Sequence, residues 1–173
     1  VSTSNIVNVS IGSTPLLQNL FSESMGLTTG TFPIASHENA NGFQNVALTM
    51  SGTADVRITQ PSGGYAGASV GSNIFITNIV GRYFTISGIN TVNSNSMEVS
   101  FGIYKSTTIS TGQDLKVQVS TDNINFTDLS FPVITGGAGW YLRTATGSIP
   151  KSTHLHLRFY QTTVSAQYRI DDV

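Results

Sequence analysis

Between His154 and Tyr160, Leu155, Leu157 and Phe159 alternate with His154, His156, Arg158 and Tyr160. A period of two sends apolar side chains to one face of a strand and polar ones to the other. A helix cannot sort these residues, so the stretch predicts a strand with one buried face. Gln167 to Val173 begins in the same way, with Tyr168 and Ile170 opposed to Gln167 and Arg169. The short Thr/Ser link between the two segments suggests an antiparallel hairpin. Asp171 and Asp172 then stand side by side, which packing alone does not require.

The same alternation recurs upstream. Strands are expected at Val46–Met50, Asp55–Thr59, Ile74–Ile76, Gly81–Ser87, Met97–Ile103, Leu115–Val119, Phe126–Leu129 and Trp140–Thr144. Turn compositions separate them: Pro61-Ser-Gly-Gly64, Gly88, Thr121-Asp-Asn-Ile-Asn125, Gly136-Gly-Ala-Gly139 and Gly147-Ser-Ile-Pro150. Val1 to Thr14 reads as a strand or a linker. Pro15 to Phe21 is the only tempting helix, and strand or irregular structure is preferred there. Thr28 to Gly42 has loop composition. Nine to eleven short strands at a spacing of roughly 8–12 residues, with no convincing helix, predict an all-β antiparallel sandwich, most simply a jelly roll.

The 173 residues suit a single domain, 1–173. Hydrophobic residues make up 39% and charged residues only 10%, well under the roughly one quarter usual for charged residues in soluble domains. Ser, Thr, Asn and Gly fill the difference, as in secreted all-β proteins. With a net charge of -1 there is no basic stripe for nucleic acid. No apolar run reaches the roughly 18 residues a membrane helix needs. With no Cys, disulfides and thiolate sites are excluded. The start at Val1-Ser-Thr-Ser fits a domain excised from a larger secreted or cell-surface protein.

Several short motifs resemble a known group. They are Gly64-Tyr-Ala-Gly-Ala-Ser, Phe84-Thr-Ile-Ser-Gly-Ile, Glu98-Val-Ser-Phe-Gly, Val119-Ser-Thr-Asp-Asn-Ile-Asn-Phe, Trp140 and Tyr168-Arg-Ile-Asp-Asp-Val. Together they resemble the jelly-roll domains appended to secreted and surface proteins of polysaccharide-degrading bacteria. The ending is also similar to carbohydrate-binding modules of the family four and twenty-two type. The resemblance implies a non-catalytic accessory domain linked to a catalytic one, often with a structural calcium between an early loop and the final aspartates.

Calcium takes six to eight oxygens. Asp172, with Glu23 and Glu38, is the expected ligand set, because strand parity puts Asp172 on the side of Tyr168 and Ile170, where a bare charge is costly. The bland alternative is a solvated chain end. For sugar, the outward sets offer planar polar and aromatic groups: Glu98 and Tyr104; Lys116 and Gln118; His154, His156, Arg158 and Tyr160. An ordinary solvated sheet face has similar residues. A loop-tip site built from Tyr65, Tyr83, Trp140 and Tyr141 is the competitor, although a lone Trp opening a strand more often packs in a core. Lys105, Lys116, Arg143 and Arg158 are the cations that could meet an acidic or sulfated sugar. His154 and His156 have metal-chelating spacing but lack a third ligand. Asn8-Val-Ser10 and Asn125-Phe-Thr127 match the glycosylation sequon.

An enzyme would need two converging carboxylates, for which Glu98 and Asp114 are the mid-chain choices, or a lyase set such as His156, Tyr160 and Arg158. No catalytic motif supports either. The expected function is a carbohydrate-binding module, not an enzyme, that holds an attached enzyme to polysaccharide. A spacer or adhesion domain is the main alternative.

Overall fold

The structure, a computed structural model, describes residues 19–173. The expectations for Val1–Thr14, for most of Pro15–Phe21 and for the Asn8 sequon lie outside them. Eleven strands and one short helix follow in order: β1 (Thr31–Pro33), α1 (Ile34–Asn39), β2 (Thr49–Gly52), β3 (Asp55–Arg57), β4 (Asn73–Ile76), β5 (Tyr83–Ile89), β6 (Val99–Lys105), β7 (Leu115–Ser120), β8 (Thr127–Leu129), β9 (Gly139–Ala145), β10 (Leu155–Gln161) and β11 (Tyr168–Asp171). They form two antiparallel sheets, β1-β3-β4-β11-β6-β9 and β2-β5-β10-β7-β8, packed as a sandwich.

The period of two builds the core. Val56, Ile74, Ile76, Phe101, Ile103, Tyr168 and Ile170 line the inner face of the six-stranded sheet. Met50, Phe84, Ile86, Leu115, Val117, Val119, Leu155, Leu157 and Phe159 line that of the five-stranded sheet, and all are buried. Phe159 joins the layers. Its ring stacks on Phe84 of its own sheet at 6.4 Å and meets Phe101 of the opposite sheet edge-on at 5.2 Å.

Three expectations are corrected here. The last two segments are not a hairpin: β10 lies between β5 and β7, while β11 lies between β4 and β6 in the other sheet. Both strands need an inward apolar face, and pairing them side by side would leave one layer without its central strand. The link crosses the end of the sandwich instead, tied by Thr162 N–H to Asp114 O and Ser106 N–H to Gln167 O. A helix does exist, at Ile34–Asn39, inside the stretch expected to be loop. With Pro33 at its start and no side-chain cap, it lacks the usual N-terminal signal. Val46–Leu48 lies outside β2, so the strand expected there starts later, at Thr49.

The middle of the outer face of the six-stranded sheet is covered by its own chain, while Leu142 on the edge strand stays exposed. Residues 58–71, the Gly-rich stretch, cross it as a strap. Arg169 donates to Thr59 O at 2.9 Å, and Asn73 Nδ2 to Thr59 O and Gln60 O. The Trp140 indole N–H reaches Gln60 O at 3.2 Å. At the far end Tyr65 O–H donates to Asp172 Oδ2 at 2.5 Å, and Ser69 reaches both terminal aspartates. The absence of a side chain at Gly102 allows this approach, because a Cβ there would lie 2.0 Å from the Tyr65 hydroxyl oxygen. Under the strap Asp171 has no exposure. Burial, with Asp172 beside it, pushes its carboxyl up to about 7.

Two outcomes are expected. Phe159→Ala removes the ring shared by both layers and costs about 3–5 kcal/mol in denaturant unfolding. For Asp171, the folded carboxyl keeps its proton up to about 7, whereas the ordinary value is 3.8. Its contribution to stability is therefore complete below the lower value and is lost as pH rises through the higher one. Between pH 4 and pH 8 the wild type should lose about 2–4 kcal/mol relative to Asp171→Asn, which has nothing to titrate. Parallel curves for the two proteins in thermal melts across that range would refute this.

Candidate functional site

Among the described residues no strap crosses the outer face of the five-stranded sheet. Its side chains are set in cross-strand rows by the same alternation that fills the core, and neighbouring strands stand about 4.8 Å apart. One row runs Tyr83, Tyr160, Lys116; the next runs Ser51, Thr85, Arg158, Gln118, Asp128; the third runs Thr49, Ser87, His156, Ser120. His154, just before β10, continues this side, with its ring centroid 5.0 Å from that of His156. Six of the sequence-predicted ligand residues thus come together: Lys116, Gln118, His154, His156, Arg158 and Tyr160. Thr85, Ser87 and Ser120 are nearly covered between longer neighbours.

Hydrogen bonds fix the middle row. Asp128 Oδ1 accepts from Gln118 Nε2 at 2.7 Å, and Gln118 Oε1 accepts from Arg158 Nε and Nη2 at 2.9 and 2.8 Å. The Arg158 guanidinium lies 3.4 Å from the Phe126 ring centroid and 4.8 Å from that of Tyr160, within cation–π range. Phe126 reaches it because the β7–β8 turn is closed by Asp122, whose carboxylate accepts from the backbone N–H groups of Ile124 and Asn125, from Asn125 Nδ2 and from Ser120 Oγ. The hydrogen bonds from Asn125, then from Ile124, hold the Asp122 carboxyl far below its usual range. His156 Nδ1 bonds Ser87 Oγ at 2.8 Å. Burial, then the neighbouring His154, lowers the His156 pKa, which favours a neutral ring at pH 7.

The remaining predicted residues lie elsewhere. Tyr104 and Trp140 sit in a row on the opposite, strapped face, with ring centroids 5.7 Å apart, and Gln60 Nε2 reaches the Tyr104 hydroxyl at 3.5 Å. Trp140 is therefore half-buried outside the core, contrary to the core packing favoured for it. The loop-tip set disperses: Tyr65 is in the strap, Tyr83 on the open face, and Tyr141 on β9 with its hydroxyl on Gly137 O. Glu98 lies at one end of the sandwich, lining a cavity of about 580 Å³ with Phe21, Met97 and Ile149. Asp114 is at the other end of β6, joined to Tyr168, which pairs with Lys105. Seven strand residues separate these carboxylates by roughly 20 Å, too far for any glycosidase pair.

The carboxylates expected to hold calcium are each engaged within the chain. Glu23 is fully buried, and both its oxygens accept from the N–H groups of Met25, Gln44 and Asn45. Glu38 Oε1 accepts from Met50 N–H. Asp172 leaves the strand at φ 51 and turns toward Tyr65 in the strap, not toward Ile170. Asp171 is the buried member of the pair. Among the described residues no three His, Cys, Asp or Glu side chains gather as a metal site, and this includes His154 and His156. The two ends of the described chain are joined instead by backbone bonds, Glu23 N–H to Val173 O and Val173 N–H to Glu23 O.

Tyr83, Phe126 and Asp128 belong to the face although they were not singled out for it. Tyr83 was legible from its alternation with Phe84, Thr85 and Ile86. Phe126, folded back by a turn, carried no such signal.

No family model matches the chain, and no curated protein matches it in sequence. Solved structures similar to it include the CBM22-1 xylan-binding domain from Paenibacillus barcinonensis, at 16% identity and a TM-score of 0.41, over 88% of this chain and 90% of that one. A likeness this loose assigns no residue, so the case for the open face rests on its own geometry.

Proposed function

We propose that the open face of the five-stranded sheet binds a polysaccharide and that the domain is a non-catalytic carbohydrate-binding module. One observation carries this: Lys116, Gln118, His154, His156, Arg158 and Tyr160 share the outer face of the five-stranded sheet, which among the described residues no strap crosses. Tyr83 and Tyr160 would stack on the apolar faces of sugar rings, while the amide, guanidinium and imidazole groups meet hydroxyls. A bare face suits a long polymer, which an enclosed cavity would exclude. Affinity is modest, because each contact competes with water. In a larger secreted or surface protein the module would hold a covalently linked catalytic domain near its polymer.

Affinity gels with a panel of plant and marine polysaccharides test this. Retardation by one class is expected, with no change in polymer length. Tyr160→Ala should weaken retardation about tenfold, the scale of a lost stacking ring, with an unchanged melting temperature. Tyr104→Ala, on the strapped face, should leave it intact. A well-folded protein that no polymer retards would make the domain a spacer.

A further inference from the structure

Of the four cations that could meet an acidic sugar, three are already committed. Lys105 has no exposure, and its ammonium donates to the carbonyl oxygens of Thr108 and Ser110. Arg143 lies on the edge strand of the other sheet and donates to the carbonyls of Pro132, Leu142 and Val133. Lys116 is on the open face but stands 3.6 Å from Asp128 Oδ2. Arg158 differs from all three. Among the described residues the side-chain ion pairs are Arg57–Asp55 and Lys116–Asp128, and neither includes it.

Its surroundings fix a guanidinium without a direct ion pair, although Asp128 acts on it across Gln118. Phe126 and Tyr160 flank the group, and Gln118 Oε1 takes two N–H bonds along one edge. Asp128 holds the Gln118 amide by its nitrogen, so the oxygen faces Arg158. A guanidinium has five N–H donors, and three of these remain. Burial lowers the pKa of Arg158 from the usual guanidinium value, against smaller opposing effects of Tyr160, Tyr83 and Asp128. A planar fork of fixed orientation matches a carboxylate or sulfate bidentately.

Building on the polysaccharide reading, we propose that Arg158 is an anion subsite of the open face, which takes the carboxylate of a uronate or the sulfate ester of an acidic polysaccharide beside a ring stacked on Tyr160. Gln118 and Phe126 are its positioning residues. Asp128 does not compete for the subsite, because its oxygens are engaged by Gln118 and Lys116.

The test is affinity electrophoresis with three polymers, polygalacturonate, a sulfated galactan and neutral galactan, at low and high salt. At least one acidic polymer should bind about tenfold or more tightly than the neutral one, the scale of a charge-assisted hydrogen bond, and salt should erode that preference. Which of the two it is distinguishes carboxylate from sulfate. Arg158→Ala should abolish the preference, and Arg158→Lys should lose most of it despite keeping the charge. Gln118→Leu should reduce it several-fold at constant melting temperature. A preference that survives Arg158→Ala, or equal binding of acidic and neutral polymers, overturns the subsite and leaves the binding module standing. Binding of neutral polysaccharides alone does the same. Failure to bind any polysaccharide removes both.

Discussion

The molecule depends on the register of β10 between β5 and β7. Leu155, Leu157 and Phe159 can enter the core only if His156, Arg158 and Tyr160 leave it, since a slip of one residue would invert both sets. The pairings Phe159 with Phe84 and Val117, and Arg158 with Thr85 and Gln118, are therefore one decision seen from two sides. What stabilises the fold also composes the open face. Phe159 makes the register costly to break, because its ring touches aromatic neighbours in both layers.

The two outer faces differ in how their polar groups are used. On the six-stranded sheet, Arg169, Asn73 and Trp140 spend their donors on the strap, and Asp171 is sealed beneath it. On the five-stranded sheet the polar groups bond chiefly sideways, to one another, as in the chain from Asp128 through Gln118 to Arg158. Such a chain holds side chains in place while leaving their outward donors to solvent. A face arranged in this way loses little conformational freedom when a ligand settles on it.

Alternation tells which way the side chains of His154–Tyr160 and Leu115–Val119 point, and the pairing of β10 with β7 brings their six outward residues together. It was silent on which sheet a strand joins. Tyr104 and Trp140 have the right chemistry and the right parity, yet they belong to the other layer, because β6 and β9 pair with each other and with β11. The same silence made a hairpin of β10 and β11. Asp172 was misplaced for a different reason: it adopts a positive φ just after the strand ends, and beyond that point period-two arithmetic no longer applies. Spacing does not reveal how Glu23 is used, because four of its five N–H contacts come from Gln44 and Asn45, 21 and 22 residues away, and only one from nearby Met25.

The strap also sets the valence of the domain. A sandwich with two bare faces could hold a polymer on each and so crosslink them. With the middle of one face crossed by residues 58–71, a single copy that binds as proposed would grip one strand of polymer on the other face only. On a polysaccharide it would act as a label of fixed orientation, and building a network would need copies joined through some other contact.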